Sequence, residues 1–422
     1  MAPTVRPNLL YADESGQIYD HPGLLMLTRR GDELALPRPD EMTPLPPGSD
    51  VFLLPGRKAI GFDEETGEAI QLEENAVAAF VCPAYTVTGV AAYATQDEAP
   101  ILPLMAYSAV GYANGRFWVA AKKVDEDRRQ IFEGIPNDRI EKGAQKWLRK
   151  FPDNRLVGHL ARCALTFCCP AAKNLALGRF EAPLPTSQAC NARCVGCISY
   201  QPEDSGFCSP QNRIDFRPTP QEVCEIMMEH NRHEKKRPVY SFGQGCEGEP
   251  LTEAKTIAKA IAAFRAAGGE GTVNINTNAS LPETIEPLAK AGLNSIRVSM
   301  NSANPALYQA YYRPAGYSGF DAVRNTVTEA KRNGLFVSLN YLFFPGVNDT
   351  EGELTMLQDF VTDLKVDFIQ LRNLNLDPEL YLDLAKPFVP GPSMGFTNFK
   401  KRLKKAAPWL NFGYFNPFLG GE

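Results

Sequence analysis

From Glu181 onward, short runs rich in β-branched and aromatic residues alternate with segments whose apolar residues recur at helical spacing, and this alternation limits the chain to few folds. Strands are predicted at APLPT, PVYSF, TVNIN, SIRVSM, FVSLNYLFF and FIQLR. Between them, Val223, Ile226 and Met227 share one helix face, Ile257, Ile261 and Phe264 a second over Thr252 to Ala267, and Val323, Val327 and Ala330 a third. A short helix with Ile285 and Leu288 and a longer one with Leu354, Leu357 and Phe360 complete the set. Thr219 and Pro220 read as cap and first turn of the first helix, and Gly268, Gly292 and Gly334 as stops. Strands joined by helices run parallel, with right-handed crossovers. The expected class is therefore α/β, a partial (β/α)6 TIM-like barrel over residues 181–377, with an open doubly wound sheet as the competitor.

A chain of 422 residues is long for one core, so an accessory domain is expected. Residues 1–150 are rich in Pro and Gly around the apolar runs VFLLPG, AVAAFVCPAYTV and RFWVAAKKV, which predicts an N-terminal strand-rich domain. Its last part, Asp125 to Leu148, reads as a helical connector. Residues 151–180 form a further connector carrying Cys163, Cys168 and Cys169, and residues 378–422 a C-terminal cap. In that cap FKKRLKKAAPWL reads as a solvated basic helix face, and FGYFNPF as cover for the barrel opening. A formal charge of -5 argues against a whole-protein grip on nucleic acid, although local contact is not excluded. Neither a secretory signal nor a bilayer-length apolar run is visible, so a cytoplasmic location with reduced thiols, and no membrane partner, is expected.

Nine of the ten cysteines lie between Cys163 and Cys246, a clustering that points to metal rather than to disulfides. Directly after the first predicted strand comes Cys190, Asn191, Ala192, Arg193, Cys194, Val195, Gly196, Cys197. Three thiolates so close can hold three corners of a four-iron cluster and leave the fourth iron without a protein ligand. A zinc knuckle completed by His230 and His233 is the alternative, although their setting, EHNRHEKKR, reads as an exposed helix end. Cys208 is the candidate fourth ligand for an ordinary ferredoxin-type site.

A second motif, GQGCEGEPL, follows the second strand and so leaves the sheet at the same mouth as the cysteine loop. Taken with the alternating strands, the two motifs resemble the radical S-adenosylmethionine (radical SAM) superfamily over about Glu181 to Asn375. The resemblance implies that Cys190, Cys194 and Cys197 ligate a 4Fe-4S cluster and that Gly248, Glu249 and Pro250 meet the amino group of S-adenosylmethionine. Asn278 at the end of the third strand, with Ser299 and Asn301 in VSMNS, is implicated in the same cofactor's contacts, and FFPGVND in packing of its adenine. The family often has an aromatic residue before the third cysteine, where this chain has Gly196.

The implied activity is reductive cleavage of S-adenosylmethionine to a 5'-deoxyadenosyl radical that abstracts hydrogen from substrate, with the cofactor supplying the hard chemistry. The large N-terminal domain points to a protein or peptide substrate. Small-molecule or RNA modification, or a non-enzymatic iron-sulfur or zinc protein, are the alternatives. A reducing partner such as flavodoxin or ferredoxin is expected, and no residue is assigned as catalytic. A second iron-sulfur cluster drawn from Cys163, Cys168, Cys169, Cys208 and Cys246 is a further candidate, against a reading of these thiols as small buried hydrophobes. Arg297 and Arg372, on predicted strands, read either as orienting groups for an anionic substrate or as partners of a buried carboxylate.

Overall fold

In the computed structural model, which describes residues 5–388 and 391–420, seven strands lie side by side in chain order in one parallel sheet. The start of the accessory region, 1–4, and positions 389–390 and 421–422 of the C-terminal cap lie outside the described residues. The strands are Glu181–Pro183, Val239–Phe242, Thr272–Thr277, Ser295–Met300, Phe336–Phe343, Phe368–Asn373 and Asn411–Gly413. Six occupy the expected segments, and the seventh comes from the tail. A doubly wound sheet reverses its strand order part-way. This order never reverses, so the sheet curls as a partial barrel.

Alternation along the strands separates the two faces of this sheet. In the third strand Val273 and Ile275 belong to the apolar core beneath the helices, whereas Asn274 and Asn276 hydrogen-bond to each other on the other face. Asn416 shows that this other face is the barrel interior. Its amide donates to Glu181 Oε1 at 2.9 Å and Ser241 Oγ at 3.0 Å, and its carbonyl accepts from Gln370 Nε2 at 2.9 Å. First, second and sixth strands thus converge on one side chain. Arg129 adds a second bridge across the gap, donating to Glu181 Oε2 at 3.3 Å and to the Asn416 carbonyl at 3.1 Å. The tail therefore seals the barrel seam with side chains, where the sequence pattern suggested only an apolar cover.

Ahead of the barrel, strands between Asn8 and Val119 form an eight-stranded antiparallel sheet dominated by the hairpin Asp50–Asp63 and Glu68–Phe80. Gly67, at φ +73°, supplies the left-handed turn that joins its arms. This region docks on the end of the sixth barrel strand: Thr86 Oγ1 donates to the Leu371 carbonyl at 2.7 Å and the Val87 N–H to Asn373 Oδ1 at 2.8 Å. The helix expected from Asp125 begins only at Asn137, because Pro136 restricts the residue before it. Residues before that proline serve the seam instead, with Asp125 Oδ2 accepting from the Tyr414 N–H at 2.7 Å.

The connector folds into two more helices, Arg155–Leu165 and Pro170–Ala176. The first packs on the helix Pro220–His233, whose start carries the Thr219 cap and a reciprocal bond to Glu222. Glu222 also receives Arg155 Nε at 2.9 Å and Nη2 at 2.8 Å. His230, expected to be exposed, is instead buried against the Phe180 carbonyl and the Tyr240 ring, because it faces the sheet rather than the helix end. Among the described residues no helix is long and apolar enough to cross a membrane.

Two predictions follow from these contacts. Asp377 accepts from Arg57 Nη2 at 2.9 Å, from the Leu102 N–H at 2.8 Å and, as a helix cap, from the Glu379 N–H at 2.9 Å. Both charged side chains are buried, so Asp377→Ala, which strands the guanidinium, should cost about 3–5 kcal/mol in urea unfolding. Hydrogen bonds from Arg155, then from Thr219, hold the Glu222 carboxyl down at about 2 against the opposing effect of burial. That group contributes stability above its unfolded value of 4.5, and the contribution fades as pH falls toward 2. Because Arg155 is half-exposed, solvent screens the pair, and Glu222→Gln should cost about 1 kcal/mol at pH 7 and nearly nothing at pH 2.5, measured by denaturation at both pH values.

Candidate metal and cofactor site

The loop after the first strand and the loop after the second are knitted together by main-chain bonds. The Gly248 N–H donates to the Ser187 carbonyl at 2.7 Å and the Glu249 N–H to the Ala189 carbonyl at 2.8 Å. A Cβ on Gly248 would lie 2.0 Å from the Ala189 carbonyl oxygen, so only glycine permits the approach. Two buried carboxylates flank this glycine. Glu247 accepts from the N–H groups of Thr186 at 2.8 Å and Ser187 at 2.9 Å, fixing the start of the cysteine loop. Glu249 accepts from the N–H groups of Leu251 at 3.0 Å and Asn278 at 2.8 Å, tying the turn to the end of the third strand. Burial pushes both carboxyls up to about 7.

Cys190, Cys194 and Cys197 all line one cavity of about 440 Å³ that opens beside this clamp. The loop is anchored on its far side by Tyr311 and Tyr312, whose carbonyls accept from the N–H groups of Val195 at 2.9 Å and Arg193 at 3.1 Å. Asn191 bridges to Asn278 at 2.9 Å and Ser280 at 2.9 Å. Burial pushes the Cys190 thiol up to about 11 and, with the neighbouring Cys197 adding to it, raises Cys194 too. Arg213 Nη2 lies 3.6 Å from Cys197 Sγ as a donor.

The residues suit a four-iron cluster better than a single ion. Thiolates around one tetrahedral zinc sit about 3.8 Å apart, from Zn–S bonds of about 2.3 Å. Among the described residues the group of three donors within 4.8 Å of one another is His159, Cys163 and Cys246, so the loop thiols are spread wider than one zinc needs. A cube bonds each corner iron to a separate thiolate and takes that wider set. Neither His230 nor His233 lines the cavity, His233 being bonded to Glu229 at 3.0 Å, and Cys208 is exposed away from it. The loop thus keeps three thiols without the fourth ligands weighed from the sequence.

Gly248, Glu249, Pro250, Asn278 and Ser299 also reach the cavity wall. Asn301 does not: it is fully buried, donating to Tyr381 at 3.3 Å and accepting from Asn348 at its carbonyl at 2.8 Å. Cys163, Cys169 and Cys246 come together at another part of the same wall, while Cys168 and Cys208 are exposed. Tyr311 and Tyr312 were not legible as site residues. The position of Gly196 explains Tyr311, since a Cβ there would lie 2.5 Å from its hydroxyl: the aromatic group expected next to the third cysteine arrives from a different helix.

Deeper in the cavity, Arg297 and Arg372 face the interior with neutral partners, Gln370 Oε1 at 3.0 Å and the Tyr414 carbonyl at 3.1 Å. Burial, then the neighbouring Arg372, pulls the Arg297 guanidinium down to about 9, so it stays cationic at neutral pH. Arg297 Nε and Asn340 Oδ1 are buried on this wall without a hydrogen-bond partner.

A family profile described as the radical SAM superfamily matches residues 184–357, a span that contains the cysteine loop, the Gly-Glu-Pro turn and the middle strands. Over this span, less than half of its length, the chain is similar to the radical SAM superfamily. A probable GTP 3',8-cyclase from Thermococcus kodakarensis is 30% identical over 166 residues, which is 39% of this chain and 48% of the relative. The chain thus spans about half the length of that curated relative. Among solved structures, the hydrogenase maturase HydG is similar at 16% identity and TM-score 0.39, over 66% of this chain and 67% of that one. SuiB from Streptococcus suis, bound to the precursor peptide SuiA, is similar at 14% identity and TM-score 0.39, over 62% and 53%. The group that goes with a radical SAM domain is a 4Fe-4S cluster with S-adenosylmethionine, and the loop thiols and the Gly-Glu-Pro turn fit it on the donor set and spacing described above.

The main-chain clamp makes a sharp prediction. Gly248→Ala should push the cysteine loop off the turn and cost about 1–3 kcal/mol in thermal unfolding, with reduced iron retention. Gly352→Ala, on a helix where an added Cβ meets nothing within 4 Å, is the control and should be neutral or mildly stabilising.

Proposed function

We propose that the chain is a radical SAM enzyme acting on a protein or peptide that presents an anionic group to Arg297 and Arg372. The observation that carries the enzymatic reading is the meeting of three loop thiols and the Gly-Glu-Pro turn on one cavity wall, without a fourth ligand from Cys208 or the histidines. When bound, a 4Fe-4S cluster on Cys190, Cys194 and Cys197 supplies an electron for cleavage of S-adenosylmethionine to a hydrogen-abstracting radical. The chain's own residues do the rest. Glu249 holds the turn so that its main chain faces the cavity, and Asn278 and Ser299 offer polar side chains beside it. Tyr311 fills the place above Gly196 and excludes water from that side. Arg297 and Arg372 sit where a substrate anion would be drawn in and oriented, each with N–H groups to spare.

The polypeptide assignment is supported by the N-terminal region, whose short strand Tyr85–Val87 docks on the end of the sixth strand and bonds the cavity residue Asn373. A second reading, a small anionic metabolite, is favoured by the two arginines themselves and by the relative named for GTP cyclisation. In either reading a small reducing protein such as flavodoxin or ferredoxin delivers electrons, and a reducing compartment such as the cytoplasm keeps the ten cysteines available.

Anaerobic reconstitution with iron and sulfide, followed by dithionite and S-adenosylmethionine, should yield 5'-deoxyadenosine, and Cys194→Ala should yield none. An intact cluster that gives no product would remove the enzymatic reading. Deuterium passing from a labelled peptide, rather than from labelled small anions, into 5'-deoxyadenosine separates the two substrate classes. Arg372→Gln should lower kcat/KM for the true substrate about 10- to 100-fold, the loss of one charge-assisted bond of about 1.5–3 kcal/mol, while leaving substrate-free cleavage unchanged.

A further inference from the structure

The helix Arg155–Leu165 places His159 and Cys163 one turn apart on a buried face, and Cys246 meets them from the loop that leads into the Gly-Glu-Pro turn. His159 Nε2 lies 3.3 Å from Cys246 Sγ and 3.4 Å from Cys163 Sγ, and the three donor atoms all fall within 4.8 Å of one another. The other ring nitrogen, Nδ1, is buried with no partner, so the imidazole's polar engagement is wholly with sulfur. One N–H cannot serve two sulfurs well, whereas one metal ion can accept from all three groups. Cys169 packs against the same group, brought back after the helix by its N–H donating to the Cys163 carbonyl at 3.0 Å.

We propose that His159, Cys163 and Cys246 bind a single zinc ion, with the adjacent Cys169 side chain turning in as the fourth ligand, and that the ion fastens the connector helix to the loop preceding the cofactor turn. The ligand set is of the closed structural type, three cysteines and one histidine. A zinc with bonds of about 2.0 Å to nitrogen and about 2.3 Å to sulfur sets those atoms about 3.5 Å apart, close to the separations here. That compactness separates this group from the wide loop thiols and favours one ion over a second iron-sulfur cube. On binding, the three thiols release their protons to solvent and the imidazole binds neutral through Nε2. The brace reaches the cofactor turn along the chain: the Cys246 carbonyl accepts from the Ile214 N–H at 2.8 Å, and the next residue, Glu247, holds Thr186 and Ser187.

The test is metal content of the full chain, purified anaerobically. Wild type and the triple variant Cys190→Ala, Cys194→Ala, Cys197→Ala should each carry one zinc, and Cys163→Ser with Cys246→Ser should carry none. In the triple variant, zinc removal and cobalt(II) addition should give the intense visible bands of a tetrahedral thiolate-bound cobalt. That arm keeps the native cysteines of the proposed site, so it stands even if the serine variant misfolds. Zinc retained by the serine variant, no zinc and no cobalt uptake in the triple variant, or iron and sulfide bound by the triple variant would each overturn the proposal. Because the loop thiols are absent there, the result is independent of whether the chain cleaves S-adenosylmethionine.

Discussion

Everything at the mouth of this barrel depends on two loops sharing backbone hydrogen bonds at a glycine. Gly248 and Glu249 donate to carbonyls of residues 187 and 189, immediately before the first loop cysteine, so the thiols and the turn cannot move independently. The two flanking carboxylates extend this coupling to the ends of the first and third strands. Buried carboxylates without partners would be costly, and these are satisfied almost wholly by backbone N–H groups. Their burden is therefore converted into position: each acidic side chain replaces the sheet bonds that a loop leaving a strand end gives up.

The barrel interior follows a related logic. Its strands alternate apolar residues toward the helices with Asn, Ser, Gln and Arg toward the axis, so the interior must be hydrogen-bonded rather than packed as an oily core. Asn416, reaching three strands at once, satisfies much of that demand and draws the edges of an incomplete barrel together. What it leaves open lies higher on the wall, where Arg297 Nε and Asn340 Oδ1 have no partner. Arg297, Asn340 and Tyr312 each bring a buried polar atom without a partner to the cavity wall, donors and an acceptor that a polar ligand there can meet.

Most of the barrel was legible in the sequence because its signals are local. Periodicity placed six strands, and the Thr219 cap with Pro220 placed a helix start, since both depend on residues a few positions apart. The cysteine loop was legible for the same reason. What escaped reading depends on distant contacts: the strand Asn411–Gly413 is too short to show a period, and His230 looked exposed because its charged neighbours hide the one face that meets the sheet. Tyr311 could be anticipated only as a gap, through a glycine standing where an aromatic residue was expected, and its source on the helix Pro305–Tyr312 needed the fold. Asn301 is close in sequence to the cavity residue Ser299 yet turns under the wall toward Tyr381, a placement that spacing along the strand does not reveal.

Cysteine spacing along the chain says that sulfur is gathered, but not at what distance, and distance decides the chemistry. The loop holds its three thiols within eight residues and yet spreads them, because each sits on a different bend of a chain pinned by Tyr311, Tyr312 and Asn278. Cys163 and Cys246 are far apart in sequence and yet meet closely, because a straight helix presents His159 and Cys163 on one face and the Gly-Glu-Pro loop must pass over that face. A wide set of soft donors accommodates a cluster, and a narrow one accommodates an ion. The same fold therefore produces both spacings on one cavity wall, and the backbone clamp at Gly248 is what keeps them in register.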